Sequence, residues 1–208
     1  METTFSFVMS GIVFGLAAGL APGPLFALVL AHSMRYGVSA GCKVAVSPLV
    51  SDAPIILLCL LTFTRVVITD PILGVVALAG SMFLIYLALE TFGAVYNPGR
   101  DHSDQTNSLV KGAVTNLLNP QPYLFWLAVG VPTLVKAGEA GHSAVFGFLA
   151  AMYSCLVGSK ILIAITTGRG SSILTGRLYR IALRFLSVAL GIIALFFFRD
   201  ALRYLGIV

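Results

Sequence analysis

Charge is what this sequence has least of. Only 10% of its 208 residues are Asp, Glu, Lys or Arg, where a soluble domain carries about 25%. That shortage excludes a globular fold with a hydrated shell, because 58% of the residues are hydrophobic and the mean hydropathy is +0.98. The solvent for most of the chain must be lipid. Cysteine is scarce as well. Cys42, Cys59 and Cys155 stand apart, with no CxxC and no Cys/His cluster, which argues against a zinc site or a disulfide framework. His32, His102 and His142 are equally dispersed, so no metal site is expected. The net charge is +5, but no run of Lys or Arg accompanies it. Without such a stripe nucleic acid is not an expected partner, and basic loops beside membrane helices explain the excess better. No cofactor is expected, and the chain is not expected to be an enzyme.

What is present is a series of long apolar runs. A spanning helix needs about 20 apolar residues, and six segments qualify: Phe5–Ala31, Val44–Thr64, Pro71–Leu89, Gly112–Val135, Ser143–Thr167 and Ile181–Phe198. The N-terminal stretch has Glu2 and no basic residue. A secretory signal needs a basic start, so the first run reads as a retained helix. The connections are short except for the polar stretch Tyr96–Lys111, rich in Gly, Pro, Asn, Asp and Ser, which marks a loop. The expectation is one all-α integral membrane domain over 1–208. Its first half is 1–95, its loop 96–111 and its second half 112–208, with three spans in each half.

Loop charge sets orientation. Odd-numbered loops hold Arg35, Lys43, Arg100, Lys111, Arg169, Arg177, Arg180 and Arg184. Even-numbered loops and the C-terminal tail hold Arg65, Lys136, Arg199 and Arg203. The excess places odd loops in the cytoplasm and both termini outside a cytoplasmic membrane crossed several times.

The two halves resemble each other. The first span carries Ala21-Pro22-Gly23-Pro24 and the fourth Asn119-Pro120-Gln121-Pro122. The second reads Leu49-Val50-Ser51-Asp52 and the fifth Leu156-Val157-Gly158-Ser159-Lys160. Three spans per copy is an odd number, so the second copy enters the membrane inverted. Inverted repeats with helices interrupted at matching places mark secondary transporters.

Each proline removes a backbone donor and crowds the carbonyl one turn earlier. The freed carbonyls must face protein or a wet cavity, not hydrocarbon. Gly23 lets a ligand reach the backbone, and Asn119 and Gln121 supply amide groups beside the second break. These breaks read as a substrate site near the midplane or, alternatively, as structural kinks. Asp52 lies deep in the second span, where an ionisable residue is a functional hypothesis by default. It is suited to bind an ammonium group, to carry a coupling proton, or to pair with Lys160. Lys160 is open between snorkelling, pairing with Asp52 and holding a substrate carboxylate. Glu90, Asp200 and Arg203 read as interfacial, and Trp126 and Phe196–Phe198 as lipid-facing or packing groups. Gly15, Gly19 and Gly147 read as sites of close helix contact.

With these residues the chain resembles the LysE/RhtB superfamily of amino-acid exporters over essentially its whole length. The family's first helix carries an Asn-Pro-Gly-Pro type motif, matched by Ala21-Pro22-Gly23-Pro24. Its second half opens with a Gly-x-x-x-Asn-x-x-Asn-Pro-Lys type motif, matched from Gly112 through Asn116, Asn119 and Pro120 to Gln121. The stretch from Arg35-Tyr36-Gly37 to Asp52 follows its second-helix pattern. Ala21 replaces the usual Asn, Gln121 replaces the usual Lys, and Lys160 is outside the pattern. The resemblance implies export of a small, amino-acid-like solute driven by a proton gradient or membrane potential.

The expected function is therefore a secondary exporter working by alternating access. Its substrate site would use Pro22, Gly23, Pro24, Asp52, Asn116, Asn119, Pro120, Gln121 and Lys160, with Asp52 as the group for a coupling proton. The expected partners are a small solute and the lipid bilayer, with a homo-oligomer left open. A metal-ion exporter of the same superfamily is the alternative. A thiol-redox membrane carrier would need cysteines where Ala21 and Asn119 stand. A non-transporting membrane scaffold would make both Pro-x-Pro pairs mere kinks.

Overall fold

The computed structural model describes residues 4–64, 70–92, 107–170 and 176–207. Arg65, Arg100, His102 and most of the polar stretch 96–111 lie outside the described residues, as does the side chain of Arg177. Within them the chain is helical, with no strand. The helices are α1 (Thr4–Leu20), α2 (Pro24–Tyr36), α3 (Val38–Ala45), α4 (Pro48–Thr64), α5 (Asp70–Phe92), α6 (Ser108–Leu117), α7 (Pro120–Phe125), α8 (Val131–Ala140), α9 (His142–Gly170) and α10 (Gly176–Tyr204). A π-helical turn, Trp126–Gly130, joins α7 to α8.

Proline and glycine set most of the boundaries. Pro24 and Pro120 each occupy the first turn of the helix they start, where a missing N–H costs nothing. Gly37 separates α2 from α3 with φ 91°, and Gly141 separates α8 from α9 with φ 121°. A side chain at either would be strained.

Four helical segments are long and apolar enough to cross a membrane: Val38–Thr62, Asp70–Phe92, His142–Gly170 and Leu183–Tyr204. The pair α1 and α2 passes the same test only when taken together, bent by 61° at the break between them, and makes a fifth candidate if it is one span. The second crossing starts at Val38 rather than Val44, because the helix continues through the small residues of α3 with only a slight interruption at Val46–Ser47. The expected fourth crossing does not appear as one helix. Pro120, Pro122 and the π turn divide it into α6, α7 and α8, none long enough alone.

Two helix pairs form the frame: α1 lies along α9, and α5 along α10. Gly11, Gly15 and Gly19 share one buried face of α1, four residues apart as helical stacking requires. A Cβ on Gly11 would meet the Phe148 carbonyl, on Gly15 the Met152 carbonyl and Cys155, and on Gly19 the Ser159 hydroxyl. Gly147 answers from α9 by admitting Val8. Small residues thus bring the two backbones into contact, as in membrane helix pairs generally. Gly15→Val is expected to destabilise the protein by about 1–3 kcal/mol through overpacking. A lowered unfolding temperature in detergent checks this.

One apolar cluster joins Leu28, Val29, Val44, Leu84, Leu190 and Phe197. Another joins Phe7, Ile55, Trp126, Phe148 and Met152 around the middle of α9. Many large apolar side chains remain outside, among them Phe5, Val13, Leu57, Leu89, Phe146, Leu162, Phe185 and Leu195. Lipid, not water, is the solvent that tolerates them.

Glu90, near the end of α5, is held by three residues from other helices. Its carboxylate accepts from Lys111 Nζ at 2.8 and 2.9 Å, Arg35 at 3.2 Å and the Tyr36 hydroxyl at 3.4 Å. One turn earlier on α2, His32 Nδ1 lies 3.0 Å from Ser108 Oγ. These contacts tie the ends of α2 and α5 to the start of α6. Asp200, in contrast, pairs with its exposed neighbour Arg199, at 3.5 Å.

Candidate functional site

Breaking a membrane helix creates orphan carbonyls, and their fate shows what each break is for. In an unbroken helix the Ala18 carbonyl would accept from residue 22, but Pro22 has no N–H. The last regular bond of this stretch is Ala21 N–H to the Ala17 carbonyl, 3.0 Å. The Ala18 and Gly19 carbonyls instead accept from Lys160 Nζ, at 3.3 and 3.0 Å. A cation at a helix C-terminus also complements the helix dipole.

The second break is satisfied differently. Asn119 caps α7, its side-chain oxygen accepting from Gln121 N–H at 3.0 Å. That leaves the Leu117 carbonyl without its usual donor, and the Tyr123 hydroxyl fills the place at 2.8 Å. The Leu118 carbonyl lies against Gly80 of α5, where a Cβ would collide with it.

The two breaks face each other. A Cβ placed on Gly23 would stand 3.7 Å from Gln121 Oε1. Between them is a cavity of about 450 Å³. Gly23, Pro24, Asp52, Asn116, Asn119, Gln121 and Lys160 all line it. Pro22 and Pro120 do not line it and instead create the breaks on either side. The rest of the wall is mostly apolar, with Phe14, Phe125, Val129, Met152 and Leu156.

Asp52 is 4% exposed, and each of its oxygens accepts a hydrogen bond. Asn116 Nδ2 donates to Oδ1 at 2.6 Å and to Ser51 Oγ at 2.8 Å. The Tyr153 hydroxyl donates to Oδ2 at 3.0 Å, and Trp126 lines the same cavity. A buried carboxylate is tolerated only with donors of this kind. Lys160 is also 4% exposed. It neither reaches the interface nor pairs with Asp52. Its hydrogen bonds go to the end of α1.

The second helix of each half therefore sends its buried charge to the broken helix of the other half. Asp52 of α4 reaches Asn116 beside the second break, and Lys160 of α9 reaches the first.

Ser51, Tyr153 and Trp126 are site residues that patterning does not single out. A signal for Tyr153 existed, since it lies two turns before Lys160 on the same face of α9. Trp126 is 1% exposed, not lipid-facing. The π turn that begins at Trp126, where Gly130 leaves room for the ring, fixes the indole in place. Such turns recur at functional sites. Of the Phe196–Phe198 run, Phe197 is buried while its two neighbours are exposed.

A family model described as LysE type translocator matches residues 16–201, which include both breaks, Asp52 and Lys160. No curated protein matches the chain, and no solved structure does.

Proposed function

The chain belongs to the LysE type translocator family, and from that premise we propose that it exports amino acids or their close derivatives across the cytoplasmic membrane. The coarser statement follows from membership and from the apolar helices: this is a multi-pass membrane translocator of small solutes. The observation that carries the finer reading is the cavity between two facing helix breaks, with one buried acid and one buried base on its wall.

In this reading α6, α7 and α8 together make a sixth crossing, interrupted like the first. The six crossings are two inverted sets of three. Supporting this are the matching Pro-x-Pro sites and the reciprocal placement of Asp52 and Lys160. Odd loops lie in the cytoplasm and both termini outside.

The transport cycle is alternating access around the cavity. The solute takes exposed backbone groups at Gly23–Pro24 and amide groups of Asn119 and Gln121. Asp52 holds its amino group in one half of the cycle and a coupling proton in the other, while Asn116 keeps the carboxylate in place. A metal cargo is less well served. Hard cations want several oxygen ligands and soft ones thiolates, and this cavity offers one carboxylate opposed by an ammonium.

The test is a survey of internal and external metabolite pools in cells overexpressing the protein. An amino acid or derivative that moves from the internal to the external pool supports the reading. Unchanged pools combined with altered metal tolerance would replace it with metal export.

A further inference from the structure

Lys160 has more donors than partners. An ammonium carries three N–H groups, and two are used by the Ala18 and Gly19 carbonyls. Among the described residues no carboxylate pairs with it, and both Asp52 oxygens already accept from Asn116 and Tyr153. A buried cation without a counter-ion is costly, yet this one lines a cavity large enough for a solute.

The start of α2 lies at the same place. Gly23 caps α2 without any side-chain hydrogen bond, and Pro24 follows with no N–H to offer. The first regular bond of this stretch is Ala27 N–H to the Gly23 carbonyl, 3.0 Å. The N–H groups of Leu25 and Phe26 therefore have no intrahelical acceptor, and both residues line the cavity. The positive end of a thirteen-residue helix and the Lys160 side chain both border the same cavity. The negative end of α1, which would oppose an anion there, is already covered by Lys160.

Resting on the transport reading above, we infer that Lys160 determines specificity: with the N-terminus of α2 it holds a carboxylate on the transported solute. Asp52 takes the opposite charge across the cavity, and the tail lies against Phe14, Phe125, Val129, Met152 and Leu156. The preferred cargo is a neutral α-amino acid with an apolar side chain. A solute with net positive charge meets an uncompensated Lys160 and is rejected.

The experiment uses purified full-length protein in liposomes. The probes are leucine, methionine and phenylalanine, each beside its carboxamide. Wild type is expected to carry the acids at least about tenfold faster than the amides, the scale of one charge-assisted hydrogen bond. Lys160→Gln is expected to slow acid flux about tenfold and to bring the acid-to-amide ratio close to one, with amide flux retained. Lys160→Arg keeps the preference. Retained amide flux in Lys160→Gln separates loss of recognition from loss of fold, and wild-type selectivity alone tests the subsite if the variant does not fold. Wild type that carries amides as well as acids overturns the inference, as does Lys160→Gln with its preference intact. Absence of any amino-acid flux in wild type overturns the transport reading itself, and the subsite with it.

Discussion

Asp52→Asn is expected to abolish net transport while the protein remains folded and inserted. The replacement has the same shape and keeps an oxygen for Asn116 Nδ2, now 2.6 Å away. The Tyr153 hydroxyl, which donates at 3.0 Å, can rotate to accept from the new amide. What disappears is the charge. Removing one partner from a buried, hydrogen-bonded charge interaction costs about 2–5 kcal/mol, so flux should fall by on the order of a hundredfold or more. Stability should hold or rise, because a neutral amide is cheaper to bury than a carboxylate. Flux in liposomes and unfolding in detergent, measured on the same preparation, check the two halves of this statement. Near-normal flux would remove Asp52 from the mechanism.

The paired change Pro22→Ala with Pro24→Ala is expected to do the reverse of ordinary damage. It returns N–H groups to positions 22 and 24, so the Ala18 and Leu20 carbonyls regain their usual donors. Alanine is also the better helix former by about 3 kcal/mol per position. The 61° bend between α1 and α2 loses its cause, and the restored N–H competes with Lys160 for the Ala18 carbonyl. The N-terminus of α2 then ceases to exist as a separate pole. Transport should drop at least about tenfold while thermal stability is unchanged or higher. A variant that transports at the wild-type rate shows that the break is only a packing kink.

These two variants touch features of different legibility. The prolines were visible because they interrupt an apolar run where a helix has no other reason to stop. Asp52 was visible because a lone carboxylate among apolar neighbours is too costly to be accidental. Glu90 reads as interfacial from its place near a helix end, and nothing local says which groups it meets. Its partners Arg35 and Lys111 are distant in sequence, and only packing brings them together. Trp126 reads from sequence as lipid-facing or as a packing group, and only the fold decides for packing. An aromatic residue in an apolar run looks alike whether it faces lipid or a cavity, and the π turn that buries it leaves no pattern.

Composition by itself determined the solvent, since apolar content is a property of the chain and needs no fold to be counted. Residue order determined the breaks, because a missing N–H acts on the carbonyl one turn away whatever surrounds it. Tertiary structure alone decided where the charges go. Lys160 was equally suited to the interface, to Asp52 or to a ligand while only its own helix was known. The glycine face of α1 draws α9 close enough to place its ammonium on the Ala18 and Gly19 carbonyls. Electrostatic partners are set by distances of a few ångströms, and those distances come from helix packing.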